Sequence, residues 1–139
     1  MDKVFKFKIV TPQAVLLSDE VNHVQAPGVT GYFGVMAHHI PYLTALTLGS
    51  ITVETGKKRK VFATSGGFAE VIDGSMTILA ESAEDASQID IKRAEKARDR
   101  AIRRLRDNEP GTNIPRARAA LVRALNRLEI AATRRAFSG

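Results

Sequence analysis

The chain changes character at one place, and that break limits the folds open to it. Through Glu84 the sequence is rich in Val, Thr, Gly and aromatic residues. From Asp85 onward it is dominated by Ala, Arg and Leu, with glycine only at Gly111 and Gly139. β-Branched and aromatic side chains suit a pleated, half-buried surface, whereas Ala, Leu and Arg are strong helix formers. A chain that is strand-forming first and helix-forming afterwards segregates its two kinds of structure instead of alternating them. The fold expected is therefore α+β: an N-terminal antiparallel β-sandwich over residues 1–84, followed by a C-terminal antiparallel two-helix hairpin over residues 85–139.

Charge follows the same division. Residues 1–84 carry 7 basic and 8 acidic side chains, whereas residues 85–139 carry 14 basic and 7 acidic, and 12 of those 14 are arginine. A basic half joined to a neutral half points to an acidic or phosphate-bearing partner for the basic half. Guanidinium forks suit carboxylates and phosphates better than ammonium groups do. The absence of cysteine excludes disulfides, thiol nucleophiles and cysteine-ligated zinc. No apolar run approaches the roughly 20 residues that span a bilayer, and no signal-type segment opens the chain, so a soluble, unprocessed protein without direct membrane insertion is expected.

In the first half, Phe5-Lys6-Phe7-Lys8-Ile9 alternates strictly and marks a strand with one buried face. Strand-like runs follow at Ala14–Leu17, Val21–Ala26, Val35–Met36, Tyr42–Leu46, Ile51–Val53, Val61–Thr64, Phe68–Ile72 and Met76–Ala80. Turn chemistry separates most of them: Pro27-Gly28, Gly49-Ser50, Thr55-Gly56-Lys57-Lys58, Gly66-Gly67 and Asp73-Gly74. The last is a strong two-residue hairpin signal. His23, His38 and His39 do not form a metal site, because adjacent histidines in a strand face opposite ways and no acidic residue accompanies them at ligand spacing. Ser65-Gly66-Gly67 lacks the Lys-Ser/Thr of a P-loop and the frame of a nucleophile elbow, and is read as a glycine-permitted strand bend. Gly31-Tyr32-Phe33-Gly34 is read as a glycine-flanked loop holding two aromatics, buried by default and a docking surface if exposed. No catalytic constellation is present.

In the second half, Ser87 and Asp90 both suit a helix N-terminus. The spacing predicts a helix from about Asp90 to Arg106, a break over Asp107–Asn113, and a second helix to about Arg135 with Pro115 in its first turn. At about 100° per residue, Ala94, Ala97, Ala101 and Leu105 form the apolar stripe of the first helix, and Ala117, Leu121, Ala124, Leu128 and Ala131 that of the second. Arg93, Arg100 and Arg104 line up about 100° from the first stripe; Arg116, Arg123, Arg127 and Arg134 line up about 110° from the second, in the same sense. Antiparallel helices facing each other through these stripes bring both arginine rows to one side. Such rows repel themselves unless an anion offsets them, so the hairpin is read as a groove for a polyanion. Alanine stripes bury little area, at roughly 25 cal/mol per Å², so the hairpin is expected to be marginal alone and biased by what it binds.

A basic hairpin that tracked a nucleic-acid backbone would be the alternative reading. Helices whose one aromatic is Phe137 offer no base stacking, however, and no nucleic-acid partner is expected. A stand-alone ATP-hydrolysing enzyme is excluded by the absence of a P-loop or a metal-ligand cluster.

Five stretches, in order and spanning the chain, carry a resemblance: Val10-Thr11-Pro12, His39-Ile40-Pro41-Tyr42-Leu43-Thr44, Ser65-Gly66-Gly67-Phe68-Ala69-Glu70-Val71, Thr77-Ile78-Leu79-Ala80 and Ile89-Asp90-Ile91-Lys92-Arg93-Ala94. With these, the chain resembles the epsilon subunit of bacterial F-type ATP synthases. The resemblance implies a non-catalytic rotor subunit, peripheral at the cytoplasmic face of the inner (plasma) membrane. Its sandwich would dock on the gamma subunit and the c-ring, here through Tyr32, Phe33, His39 and Pro41. Its hairpin would fold down on the sandwich or extend between the alpha and beta subunits to oppose ATP hydrolysis. It implies no required cofactor, and ATP as a regulatory ligand at an Ile/Leu-Asp-x-x-Arg-Ala motif, the site comprising Glu84, Ile89, Asp90, Arg93, Ala94, Arg100, Arg123 and Arg127. Two loops depart from the family pattern. Gly31-Tyr32-Phe33-Gly34 stands where Gly-Glu-Leu-Gly is common, and Ala37-His38-His39-Ile40-Pro41 stands where Pro-Gly-His-x-Pro is common.

Overall fold

The computed structural model describes the backbone of residues 3–137 and the side chains through Thr133. The chain forms two compact units, Met1–Asp85 and Ala86–Gly139. The first holds eight strands: β1 (Phe5–Val10), β2 (Val15–Val21), β3 (His23–Gly28), β4 (Gly31–Met36), β5 (Tyr42–Leu46), β6 (Gly49–Thr55), β7 (Lys58–Ile72) and β8 (Ser75–Asp85). The second holds a single 3-10 turn at Ala86–Gln88 and two helices, α1 (Ile91–Asp107) and α2 (Ile114–Phe137).

One long strand, β7, organises the sandwich. Along one edge it pairs with β8 from Phe62 to Ile72. Along the other it pairs first with β6, over Lys58–Thr64, and then with β5, over Gly67–Val71. The change of neighbour falls at Gly66 and Gly67, where the β7–β8 register shifts. The sequence places Gly66-Gly67 between the runs Val61–Thr64 and Phe68–Ile72 and reads Ser65-Gly66-Gly67 as a strand bend; the bend forms, as a bulge that joins the two runs into one strand of 15 residues. Both glycines have positive φ, 127° and 142°, and a Cβ on Gly67 would collide with the carbonyl oxygen of Leu79. A bulge bends the strand without ending it, which lets one strand serve both layers. Buried Thr64 steadies the bend: its Oγ1 donates to the Ser82 carbonyl at 3.0 Å and accepts from the Gly66 amide at 3.2 Å.

The remaining order is β2-β1-β8-β7-β5-β3-β4, with β6 closing against both β3 and β7. Pairing is antiparallel except between β1 and β8, which run parallel from Lys6↔Ser75 to Val10↔Leu79. The antiparallel sandwich expected from sequence forms with this one parallel pair: most of the sandwich intervenes between the two strands, which leaves room for the long connection a parallel pair needs. Phe5, Phe7 and Ile9 point inward from β1 and meet Val21, Val24, Val35, Ile51, Val53, Phe62, Met76 and Ile78 in one core. The Asp73-Gly74 hairpin forms as its sequence suggests, with φ of 47° and 75° joining Ile72 to Ser75.

Two further readings change. Gly31–Gly34 lies within strand β4, not in a loop, paired with β3 from Gly28↔Gly31 to His23↔Met36. His38 and His39 occupy a turn, not a strand: the His39 amide donates to the Met36 carbonyl at 3.2 Å, and His38 takes φ 66°. Their opposite facing therefore has no part in the argument about metals. Among the described residues no group of three or more His, Cys, Asp and Glu is placed to hold a metal ion.

In the second unit α1 begins where its capping chemistry predicts. Asp90 is extended, and its Oδ1 accepts from the Arg93 amide at 3.0 Å. The helix ends at Asn108, left-handed at φ 43°, whose amide donates to the Arg104 carbonyl. Asn113 caps α2, its Oδ1 accepting from the Arg116 amide at 3.0 Å. The helices pack on each other through small residues: Ala94 and Ala101 are buried on α1, and Ala117, Ala124 and Ala131 on α2. Ile130 joins them, whereas Leu105, Leu121 and Leu128 are half-buried. The apolar stripes thus stand where a 3.6-residue period places them.

Candidate functional site

Each unit offers a surface that its own fold does not satisfy. On the sandwich it is apolar. The cross-strand registers Val15↔Val10, Val10↔Leu79, Leu79↔Phe68 and Phe68↔Ala45 set five apolar side chains in one line across β2, β1, β8, β7 and β5. Val15, Phe68 and Leu79 are each more than half exposed, at 57%, 57% and 55%. The sequence reading overlooked this row, although a signal for it exists. Ala69 and Val71 are buried, so the alternation of a strand sends Phe68, Glu70 and Ile72 to the solvent side together. Glu70, a residue rarely buried, marks that side.

A second apolar group lies around the β4–β5 connection. Tyr32, Met36, Ile40 and Leu43 are exposed, Ile40 by 74%. Of the four docking residues expected from sequence, Tyr32 and Pro41 are exposed, and Phe33 and His39 are half-buried. The structure brings Phe33 and His39 together through Tyr42, whose ring meets theirs edge-on with centroids 5.3 Å and 6.0 Å away. Tyr32 is held separately: its hydroxyl accepts from the Ser50 amide at 3.1 Å. His38, at the position where the resemblance leads one to expect a glycine, has φ 66°, a left-handed conformation that is strained for a residue with a Cβ.

On the hairpin the unsatisfied surface is charged. Of the arginines on α1, Arg98 donates to Asp99 at 2.9 Å and Arg106 to Asp107 at 3.3 Å. The Asp99 carboxylate raises the Arg98 pKa further above its usual value. Arg93, Arg100, Arg103 and Arg104 are exposed and make no ion pair with any described residue, and the same is true of Arg123 on α2. Arg127 is half-buried. Around the motif, Ile89 and Ala94 are buried, and Asp90 is engaged as the cap of α1. Glu84 belongs to the sandwich, on β8 opposite Ala63. Arg134 lies outside the described side chains.

One pocket of about 440 Å³ opens at the turn end of the hairpin, lined by Arg100, Arg103, Arg104, Asp107, Glu109 and Thr112. Arg100 thus shares it with residues the sequence reading did not assign to the nucleotide site, and not with Arg93, Arg123 or Arg127. Among the described residues no helix is long and apolar enough to cross a membrane.

Comparisons with known proteins place these surfaces in context. Residues 4–86 match the family described as ATP synthase, Delta/Epsilon chain, beta-sandwich domain, and residues 87–132 match its long alpha-helix domain. An ATP synthase epsilon chain of Nitratidesulfovibrio vulgaris is 50% identical over 131 residues, covering 94% of this chain and 97% of that one. The epsilon chain of Syntrophobacter fumaroxidans is 45% identical over 131 residues, covering 94% and 98%. Among solved structures, a chain in the Euglena gracilis mitochondrial ATP synthase assembly of OSCP, F1 and c-ring superposes with a TM-score of 0.79 at 25% identity, covering 93% of this chain and 81% of that one. A strand unit followed by a helical hairpin, matched in both parts, in order and almost end to end, has one reading: this chain belongs to the ATP synthase epsilon-chain family.

Proposed function

We propose that the chain is a non-catalytic central-stalk (rotor) subunit of a proton-translocating F-type ATP synthase. It couples the catalytic head to the c-ring, and its hairpin restrains ATP hydrolysis when ATP is scarce. The observation that carries this reading is the family match over both units. The two surfaces support the division of labour. The apolar row through Phe68 and Leu79, with the exposed group around Tyr32 and Ile40, is the kind of patch that marks a lasting protein interface. We assign to it the contacts with the gamma subunit and the c-ring. The unpaired arginines of the hairpin are suited to acidic surface on the alpha and beta subunits, and to phosphate. The subunit works as a peripheral component at the cytoplasmic face of the inner (plasma) membrane. It requires no cofactor.

The regulatory mechanism follows from charge. ATP phosphates neutralise Arg93, Arg100, Arg123 and Arg127, with Glu84, Ile89, Asp90 and Ala94 completing the site, and hold the hairpin in its non-inhibiting arrangement. Without ATP the arginines repel one another and the helices are released toward the catalytic head. Ligand at 100 times its dissociation constant favours the bound form by about 2.7 kcal/mol, enough to move a poised equilibrium. Two measurements test the parts separately. Co-purification with the gamma subunit tests the rotor assignment: a stable pair is expected, and its absence refutes the assignment. ATP binding to the purified subunit, compared with Arg93→Ala, tests the sensor: saturable binding that the variant loses is expected, and equal binding by both refutes it.

A further inference from the structure

Arg100, Arg103 and Arg104 stand at i, i+3 and i+4 of α1, a spacing that sets them on one face. None has an ion pair with a described residue, although α1 also carries Glu95, Asp99 and Asp107: Asp99 is taken by Arg98, Asp107 by Arg106, and Glu95 pairs with none of the three. Like charges gathered this closely oppose the helix that carries them. The chain beyond α1 then turns back over the cluster. Asn108 takes the left-handed conformation that ends the helix, and the Thr112 amide donates to the Glu109 carbonyl at 3.1 Å, closing a second turn. The result is the pocket of about 440 Å³, with the three guanidiniums, half-buried Thr112, and the carboxylates of Asp107 and Glu109 around it.

We propose that this pocket is an anion site that takes a small phosphate-bearing ligand, separate from the nucleotide site except for Arg100. Guanidinium forks bind phosphate oxygens bidentately, and the Thr112 hydroxyl supplies a further donor. Asp107 and Glu109 set the size and class of the guest. They repel an extended acidic peptide, whereas a compact phosphate, with a protonated oxygen or a sugar hydroxyl to donate, pairs with guanidinium and carboxylate together. The pocket is of the volume usual for small-molecule sites. Occupancy offsets the repulsion among the three arginines and ties the turn to α1, so it stiffens the end of the hairpin.

The probe is inorganic pyrophosphate, titrated into the full chain by calorimetry, with ATP in a parallel titration. Saturable pyrophosphate binding is expected, weakened at least about tenfold in Arg103→Ala/Arg104→Ala and unchanged in Arg118→Ala, which removes an exposed charge from α2. Absence of pyrophosphate binding overturns the proposal, as does equal loss in Arg118→Ala, which makes the effect one of net charge. Arg103→Lys/Arg104→Lys keeps both charges and protects against a folding artefact. Reduced affinity at unchanged helix content supports fork recognition, and full affinity overturns it. The ATP arm tests the separateness of the pocket: retained ATP affinity identifies free phosphate anions as the guest, and a parallel loss of ATP affinity makes the pocket part of the nucleotide site and overturns the proposal. ATP binding by Arg93→Ala reports on the nucleotide reading alone.

Discussion

The two units of this protein are held together by different amounts of the same force. The sandwich buries three phenylalanines, three isoleucines and a methionine among its core residues, Phe7, Ile9, Ile51, Met76 and Ile78 almost completely. The hairpin closes on five alanines and one isoleucine among its described buried residues on α1 and α2. A methyl group contributes about 0.8 kcal/mol on burial, against about 1.5–3 kcal/mol for a Phe, Ile or Met side chain. The helical unit also carries exposed arginines, Arg93, Arg100, Arg103, Arg104 and Arg123 among them, that make no ion pair with a described residue, whereas Arg59 of the sandwich is paired with Glu54. The lesson is that stability has been placed away from the part that responds to ligands. A thin, like-charged interface is what a small anion can bias.

The largest effect expected is in the sandwich. Phe7→Ala removes a ring from the centre of the core and should cost about 4 kcal/mol, read by urea denaturation of the strand signal. A loss near 1 kcal/mol would break the comparison by showing the core to be loosely packed. In the hairpin, Asp90→Ala removes the cap of α1 and should cost about 1 kcal/mol. It should appear as lost helix signal on heating while the sandwich transition stays in place. If both units melt together and earlier, they share one cooperative transition and the distinction fails. A smaller effect, of opposite sign, is expected at His38. Glycine tolerates φ 66° and a Cβ does not, so His38→Gly should raise the sandwich midpoint by an amount equivalent to about 0.5 kcal/mol.

The smallest effect concerns surface charge on the sandwich. Arg59 donates to Glu54 at 2.7 Å and holds that carboxyl below its ordinary value of 4.5. A carboxyl lowered on folding adds stability above its unfolded pKa, and that stability is lost as pH falls through the folded value. Both side chains are more than a third exposed, so screening keeps the pair to no more than about 0.5 kcal/mol. Glu54→Gln should therefore lower stability slightly at neutral pH, and the difference should close as pH is taken below 4.5. Paired denaturation curves at the two pH values check it.

What was legible in the sequence was local. The change from strand to helix chemistry, the Asp73-Gly74 hairpin, the Asp90 cap and the alanine stripes all depend on neighbours within a few residues, and all appear in the structure. What was not legible depends on partners distant along the chain. Ser65-Gly66-Gly67 reads as a strand bend, but that the runs on either side of it are one strand comes only from the pairing of β7 with β8 on one side and with β6 and β5 on the other. The parallel β1–β8 pair and the line from Val15 to Ala45 come from register, which no local pattern states. The Arg93, Arg100 and Arg104 row was found by periodicity, but Arg103 was not, because it enters the pocket only through the turn that Asn108 makes.

Hydrogen exchange across the whole chain tests the contrast most directly. Without ATP, amides of residues 115–135 should exchange orders of magnitude faster than those of β7 and β8, and millimolar ATP should slow the helix amides while leaving the strands unchanged. Equal protection in both units without ATP, or helix amides indifferent to it, would contradict a stable sandwich carrying a hairpin poised for its ligand.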